Sequence, residues 1–217
     1  MVKINDTAPN FVAHTSQGLV DFYSYIDNSW AILFSHPKAF TPVCTTELGT
    51  LQKLLPSFKD RNVKVIGLSV DSPDNHNVWL NDIKETQGYL PEYPLITDTD
   101  KVISKLYDMI HENASDTMTV RTVFIIGPDK KIKLKMDYPA SAGRNFNEIL
   151  RVVDSLQLTA NYKVATPANW IQGEDVIISA AINDEEAKKL FPQGWTTHKS
   201  YLRTLKDPTQ QTNAKRI

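Results

Sequence analysis

The chain alternates short apolar runs with segments of helical periodicity, and this alternation constrains its fold more than any other feature. The apolar runs have the length and the β-branched content of buried strands; they are WAILFS (30–35), VKVIGLSV (63–70) and YPLITD (93–98). Apolar residues three and four positions apart predict helices; these segments are 42–59, 77–86, 101–110 and 145–159. Such an order predicts a central sheet with helices packed on both faces.

The segment RTVFIIGPDKKIKLKMDY, residues 121–138, predicts an antiparallel hairpin. Two β-rich runs flank the turn residues Gly127, Pro128, Asp129 and Lys130. The hairpin makes the sheet mixed rather than all parallel. The predicted fold class is therefore α/β with a mixed central sheet.

The composition changes near residue 160, which divides the chain into two predicted parts. Residues 1–160 form the main domain, and residues 161–217 form a small α+β extension with one strand in DVIIS and one helix in NDEEAKKLF. Because the extension has few apolar side chains, its own core would be marginal. We therefore expect it to pack on the main domain or on another subunit. The polar end, KDPTQQTNAKRI, is predicted to be mobile.

Charge and cysteine usage exclude several classes of protein. The net charge is −1, from 24 basic and 25 acidic residues, which offers no electrostatic basis for nucleic-acid binding. No apolar run is long enough to span a bilayer, and the first 20 residues do not resemble a signal peptide. A single cysteine cannot form an intrachain disulfide. These features predict a soluble cytoplasmic protein.

No cofactor or metal site is predicted. The eight glycines do not form a phosphate-binding loop, and no CxxC pair is present. The five histidines lack ligand spacing, so each is expected to be exposed or hydrogen-bonded.

The one cysteine, Cys44, falls at the start of a predicted helix. Thr41 suits the N-cap, where its hydroxyl accepts a hydrogen bond from a first-turn amide, and Pro42 suits the first helical position. Cys44 is then the third helical residue, where free amides and the helix dipole favour thiolate over thiol. It also shares a helical face with Leu48, which fits a small buried apolar residue equally well. The local pattern leaves both interpretations open.

The stretch HPKAFTPVCTTE resembles the active-site motif of the peroxiredoxins, which here consists of Pro37, Thr41 and Cys44. The form PVCTTE is typical of the one-cysteine, peroxiredoxin-6 type subfamily. The resemblance continues in the same order almost to the end of the chain, through VIGLSVDS, GPDKKIKL, YPASAGRNFNEILRVVDSLQLT, VATPANW and EEAKKLFPQGW.

This resemblance implies a thioredoxin-like fold and an antioxidant thiol peroxidase that reduces hydrogen peroxide and organic hydroperoxides. Cys44 would attack the peroxide and become a sulfenic acid, while the Thr41 hydroxyl holds the substrate. Pro37 would shield the sulfenate. Arg121 would keep the sulfur ionised and stabilise charge as the O–O bond breaks.

The resemblance also assigns supporting roles and partners. His36 would tune the sulfur, and Glu47 and Arg144 would brace the pocket. A homodimer is implied. Because the chain has no second cysteine, an external thiol such as glutathione or thioredoxin must reduce the sulfenate. An exposed sulfenate of this kind would be prone to further oxidation.

The sequence leaves two alternatives open. The first is a phospholipase activity of some relatives, for which Ser29 and Asp129 match the Ser-His-Asp pattern but Tyr23 replaces the histidine. Without that histidine the general base is missing. The second is a peroxide sensor or a chaperone-like protein, which would require exposed apolar surface.

Overall fold

A computed structural model of the chain describes residues 2–115 and 117–210. The strands in chain order are β1 (Val12–Thr15), β2 (Gly18–Asp21), β3 (Trp30–Ser35), β4 (Val63–Ser69), β5 (Leu95–Thr97), β6 (Arg121–Ile126), β7 (Ile132–Tyr138), β8 (Val164–Ala165), β9 (Val176–Ile178), β10 (Thr196–Lys199) and β11 (Leu202–Leu205). The helices are α1 (Phe22–Ile26), α2 (Pro42–Asp60), α3 (Pro73–Gln87), α4 (Val102–Leu106), α5 (Phe146–Asn161) and α6 (Asp184–Leu190), with a 3-10 turn at Pro208–Gln210.

Seven strands form the main sheet, in the order β2-β1-β5-β4-β3-β6-β7. Strands β3, β4 and β5 are parallel, whereas β6 and β7 are antiparallel additions at one edge and β1 and β2 at the other. Every residue of β3 is buried, as expected for a strand covered on both faces. The predicted mixed α/β sheet with helices on both faces is confirmed.

Most predicted segments occur, with differences that have local causes. Helix α3 begins four residues earlier than predicted because the Ser72 side chain accepts a hydrogen bond from the Asn75 amide and Pro73 follows it. Helix α4 ends at Leu106, so the predicted helix over 101–110 was too long. Strands β1, β2, β8, β10 and β11 and helix α1 were not predicted, since each has at most five residues and little periodicity.

The direction of β6 determines where its first residue lies. Because β6 runs antiparallel to β3, with Val123 opposite Phe34, the start of β6 lies at the edge where β3 ends. Helix α2 follows β3 through a short loop at that same edge. The sheet therefore brings Arg121, the first residue of β6, close to the beginning of α2.

The chain divides into two compact units, Met1–Phe146 and Asn147–Ile217. In the second unit, β8 to β11 form a four-stranded sheet in the order β10-β11-β9-β8, with a core that includes Trp170 and Phe191. The boundary at residue 160 and the packing of the extension on the main domain or a second subunit stay predictions. Among the described residues, no helix has the length and apolar character needed to cross a bilayer.

Part of the segment predicted to be mobile, residues 206–217, is packed and hydrogen-bonded. Asp207 and Pro208 are buried, and the Asp207 carboxylate accepts hydrogen bonds from the amides of Gly173 and Thr209. Residues 211–217 lie outside the described residues.

The core of the main sheet yields a test with matched leucines. Leu33 of β3 is fully buried, whereas Leu19 of β2 is 65% exposed. Leu33→Ala should lower the free energy of unfolding by about 2–5 kcal/mol, because it removes packed methyl groups and leaves a cavity. Leu19→Ala should change it by less than about 0.5 kcal/mol. Urea unfolding followed by circular dichroism measures both, and equal losses would contradict this assignment of the core.

Candidate active site

The loop between β3 and α2 positions the cysteine. Phe40 adopts a left-handed backbone conformation with φ 55°, and Thr41 then returns to an extended conformation as the N-cap of α2. Pro42 is the first helical residue and Cys44 the third, as predicted. A positive φ at a bulky residue is strained, and such strain is concentrated at functional loops.

The Thr41 side chain differs from its prediction. It makes no capping hydrogen bond; instead its hydroxyl donates to the Lys38 carbonyl at 2.8 Å. The reason is that the loop turns back far enough to bring this carbonyl within reach of the hydroxyl. The amides at the start of α2 are thus left without a side-chain cap, and the Thr41 oxygen keeps lone pairs that can accept a hydrogen bond.

Cys44 is both buried and placed beside a positive charge, so each of the two open interpretations described part of its environment. Its exposure is 0%, and Leu48 and Leu51 on the same helical face are fully buried too. However, the Nη1 atom of Arg121 lies 3.3 Å from the Sγ atom and donates a hydrogen bond to it. A guanidinium at this distance in a buried setting stabilises an ionised sulfur. The free thiol is buried, and the exposure expected of the sulfenate stays a prediction.

Arg121 is 2% exposed, and its side chain is held in place by several hydrogen bonds. Its Nε and Nη2 atoms donate to the Ala140 carbonyl at 3.1 and 2.6 Å, and its Nη1 atom donates to Glu47 Oε2 at 2.7 Å. The guanidinium therefore cannot turn away from the sulfur without breaking several hydrogen bonds. The orientation of the guanidinium is thus determined by the Ala140 carbonyl and the Glu47 carboxylate rather than by the cysteine.

Glu47 connects the two arginines. Its Oε2 atom accepts from Arg121 and, at 2.6 Å, from Arg144 Nη2, while its Oε1 atom accepts from the backbone amide and the Nε atom of Arg144. The remaining Arg144 nitrogen, Nη1, donates to the carbonyls of Ser35 and Thr122. All three charged residues are buried. Two guanidinium groups and one carboxylate leave a net charge of +1 next to the sulfur.

His36 and Pro37 lie in the same loop, and both are buried. The His36 ring stacks at an angle on Trp79, with 5.3 Å between ring centroids. Neither ring nitrogen has a hydrogen-bond partner among the described residues, so the expectation that every histidine is exposed or hydrogen-bonded is wrong for His36. Burial, helped by the neighbouring His76 and then by the positive charges of Arg144 and Arg121, holds the pKa of His36 well below its usual range. The ring is therefore neutral at pH 7.

The structure thus brings Cys44, Arg121, Glu47 and Arg144 into one hydrogen-bonded group. Thr41 begins the same helix as Cys44, and Pro37 and His36 precede it in the loop, without a hydrogen bond from the His36 ring to the sulfur. The backbone carbonyls that orient the arginines, at Ser35, Thr122 and Ala140, were not predicted, because a carbonyl carries no residue-specific signal.

The Ser-His-Asp alternative gains no base from the structure. The Ser29 hydroxyl donates to the amide oxygen of Asn62, and the Tyr23 hydroxyl donates to the Ala8 carbonyl. The Asp129 carboxylate pairs with Lys133 at 2.6 Å. Among the residues that the structure describes, no titratable base is hydrogen-bonded to Ser29, and a serine without one is a weak nucleophile.

Comparison with known proteins assigns the chain to a family. Residues 4–135 match the AhpC/TSA family, and residues 155–194 match the C-terminal domain of 1-Cys peroxiredoxin. The chain belongs to the 1-Cys peroxiredoxins. It is 51% identical over 209 residues to a 1-Cys peroxiredoxin of Dictyostelium discoideum, covering 96% of this chain and 87% of that protein. It is 48% identical over 219 residues to human peroxiredoxin-6, covering 94% and 97%.

Solved peroxiredoxins have the same fold. A cysteine-to-serine mutant of peroxiredoxin 6 from Arenicola marina superposes with a TM-score of 0.90 at 44% identity, covering 97% of this chain and 100% of that one. A yeast mitochondrial 1-Cys peroxiredoxin has the same TM-score at 47% identity, covering 95% and 100%. The protein is thus a peroxidase oxidoreductase with a thioredoxin-like fold, and the resemblance drawn from the sequence is confirmed.

The contact between Arg121 and Cys44 predicts a loss of thiolate when the guanidinium is removed. A charge-assisted hydrogen bond contributes about 1.5–3 kcal/mol, so Arg121→Ala should slow iodoacetamide alkylation of Cys44 at pH 7 by about tenfold or more. The rate is measured by mass spectrometry of the intact chain. Lys133→Ala, which removes an exposed ion pair, is the control and should not change the rate. Equal rates in all three proteins would contradict a role for Arg121 in ionising the sulfur.

The buried histidines predict a pH-dependent stability. The pKa of His36 is lowered mainly by burial, as is that of His76, so the folded chain binds fewer protons than the unfolded chain below about pH 6.5. The stability that depends on these neutral rings is therefore fully present above about pH 6.5. It should fall as the pH decreases, by up to about 1.4 kcal/mol per pH unit for each ring.

Urea unfolding between pH 8 and pH 5.5, with a chelator present, measures this dependence. His76→Gln should reduce the slope, whereas His14→Gln, at an exposed position of β1, should leave it unchanged. A wild-type stability that does not change over this range would contradict the burial of neutral rings.

Proposed function

We propose that Cys44 is the residue that reduces the peroxide. The observation that carries this proposal is the 3.3 Å hydrogen bond from Arg121 to the sulfur in a buried site of net charge +1. The thiolate attacks the terminal hydroperoxide oxygen, the O–O bond breaks, and the electron pair leaves with the second oxygen. That oxygen takes up a proton and departs as water or an alcohol, while Cys44 becomes a sulfenic acid.

Thr41 and Arg121 would hold the substrate for this attack. The Thr41 oxygen, whose proton is directed to the Lys38 carbonyl, can accept a hydrogen bond from the peroxide O–H group. Arg121 would stabilise the negative charge that moves onto the leaving oxygen. Pro37 is buried in the loop and would limit access to the sulfenate. Glu47 and Arg144 would keep Arg121 in position, and the neutral His36 ring would complete the apolar wall.

An external thiol would complete the cycle, since Cys44 is the only cysteine. A thiol attacks the sulfenic acid with loss of water and forms a mixed disulfide with Cys44. A second thiol then attacks the reductant sulfur of that disulfide, which releases Cys44 as a thiol and the two reductants as a disulfide. In the yeast mitochondrial relative, thiol resolution proceeds via glutathione and thioredoxin systems, which supports the same reductants here. Because Cys44 has no exposed surface, the loop before α2 must move aside for this step.

A cytoplasmic location and a homodimer are further parts of the proposal. The single cysteine supports a reducing compartment, and the dimer rests on the resemblance to the peroxiredoxin-6 type subfamily. A peroxide sensor or chaperone-like protein is the alternative. Rapid catalytic consumption of peroxide with added glutathione or thioredoxin would support the enzyme, whereas slow oxidation with disulfides to partner proteins would support the sensor.

Cys44→Ser tests the central step. The variant should lose peroxide consumption and should no longer form the dimedone adduct that traps a sulfenic acid. Both are measured with hydrogen peroxide and an organic hydroperoxide, by absorbance and by mass spectrometry. A dimedone adduct or a substantial rate in Cys44→Ser would place the chemistry elsewhere.

Thr41 has a matched control in Thr46. Each hydroxyl donates to the carbonyl three residues before it at 2.8 Å, but only Thr41 lies at the loop that leads to the sulfur. Thr41→Val should lower kcat/KM for peroxide by up to about 100-fold, because a mispositioned substrate reacts slowly. Thr41→Ser should restore much of the rate, and Thr46→Val should have little effect. Similar losses in Thr41→Val and Thr46→Val would indicate damage to the helix instead.

A further inference from the structure

A second group of polar side chains lies beside the loop that leads to Cys44. It consists of His36 after β3, Asp71 after β4 and His76 near the start of α3, and is called the His36–Asp71–His76 cluster below. One ligand atom from each residue lies within 4.8 Å of the other two. Strands β3 and β4 are parallel neighbours, so their carboxyl ends bring His36 and Asp71 to one edge of the sheet. All three residues belong to the first compact unit.

Three imidazole nitrogens of the cluster are unsatisfied. His36 is fully buried and His76 is 1% exposed, yet neither nitrogen of His36 nor the Nδ1 atom of His76 has a hydrogen-bond partner among the described residues. Buried polar atoms in native proteins nearly always have a partner, so these atoms indicate an occupant such as an ion or a water molecule. The two ring centroids are 5.7 Å apart.

Ser69 determines which nitrogen of His76 is free to bind a ligand. The Ser69 hydroxyl donates its proton to Asp71 Oδ2 at 2.9 Å, and its oxygen lies 2.8 Å from His76 Nε2. A hydroxyl has one proton, so Nε2 must be the donor in the second contact. His76 Nδ1 is then unprotonated and has a lone pair. A ring whose other nitrogen is held by a hydrogen bond is the usual form of a metal-binding histidine.

Asp71 supplies the oxygen ligand of the cluster, in a carboxylate that is already oriented. Its Oδ2 atom accepts hydrogen bonds from Ser69 and from the Ala39 amide at 2.7 Å, so the carboxylate is oriented before any ion arrives. Both histidines are closed off from solvent, and Asp71 lies beside them at the same edge of the sheet. Burial lowers the pKa of both histidines, and the neutral rings carry no charge that would repel a cation.

We propose that the His36–Asp71–His76 cluster binds Zn²⁺, through one nitrogen of His36, the Nδ1 atom of His76 and the Asp71 carboxylate. Two imidazoles and one carboxylate are typical Zn²⁺ ligands, and three protein ligands leave a fourth position for water. Mg²⁺ and Ca²⁺ prefer sites made of oxygen atoms and fit this donor set poorly. The site borders the chemistry proposed for Cys44, because it shares His36 with the pocket wall and because Asp71 also holds the loop through Ala39.

Two other occupants must be distinguished from this site. A buried water could satisfy the same nitrogens without any metal. The Cys44 thiolate could also bind Zn²⁺, since thiolates are strong ligands for this ion. The full chain with Cys44→Ser removes the second possibility and retains every member of the cluster.

Co²⁺ absorption and Zn²⁺ calorimetry test the proposal on the metal-free protein. We expect about one ion per chain in both the wild type and Cys44→Ser. Both proteins should show the visible Co²⁺ bands of a four-coordinate site, and Cys44→Ser should show no thiolate charge-transfer band. Zn²⁺ should also raise the Tm of both proteins, because it binds the folded chain preferentially. No binding in either protein, or binding that Cys44→Ser abolishes, would overturn the proposal.

Substitutions within the cluster locate the ion. Asp71→Asn and His76→Gln, each in the Cys44→Ser chain, should raise the Kd for Zn²⁺ by at least about tenfold. His14→Gln, at an exposed position of β1, should not change the Kd. Circular dichroism of the metal-free proteins verifies that each variant folds. If one variant does not fold, the Zn²⁺ affinity of the other variant and the Co²⁺ spectrum of the unsubstituted cluster decide between the outcomes. Unchanged Zn²⁺ affinity in a folded Asp71→Asn or His76→Gln protein would overturn the proposal.

Discussion

The balance of charge around Glu47 is the constraint on which the rest of the site depends. One carboxylate lies between two guanidinium groups in a region that is almost closed to water. Buried charges are costly unless they are paired and fully hydrogen-bonded, and here the backbone carbonyls at Ser35, Thr122 and Ala140 complete the pairing. One positive charge of this group has no carboxylate partner, and it lies beside the Cys44 sulfur. A thiolate is therefore electrostatically complementary to this interior, whereas a neutral thiol is not.

The topology of the sheet explains how distant segments meet. Parallel β3 and β4 end at one edge, and antiparallel β6 begins there. The cysteine helix, the first arginine and the His36–Asp71–His76 cluster all lie along that edge. In α/β folds, the carboxyl ends of parallel strands are the usual location of ligand sites. Because β6 runs antiparallel to β3, its first residue, Arg121, lies at this same edge.

Local sequence rules predicted local features well and spatial ones poorly. The start of α2 at Pro42 follows from N-terminal helix preferences, and the prediction places it correctly. The pairing of Arg121 with Cys44 spans 77 residues, and no periodicity encodes it; only the family resemblance suggested it. The proximity of His36 and His76 escaped detection because they follow different strands and are far apart in the sequence. Thr41 was placed correctly, but its rotamer depends on a loop carbonyl that propensity cannot predict.

Arg144 reaches the end of β3, the hairpin strand β6 and helix α2 at the same time, through Ser35, Thr122 and Glu47. The electrostatic environment of the sulfur thus exists only once these three elements have assembled. A chain still emerging from the ribosome, or one unfolded by heat, carries an ordinary thiol that is mostly protonated at neutral pH. The activated environment of the sulfur is consequently present only in a chain in which these three elements have assembled. Since the thiolate is the form that peroxide oxidises, an unassembled chain should react with peroxide more slowly than the folded protein.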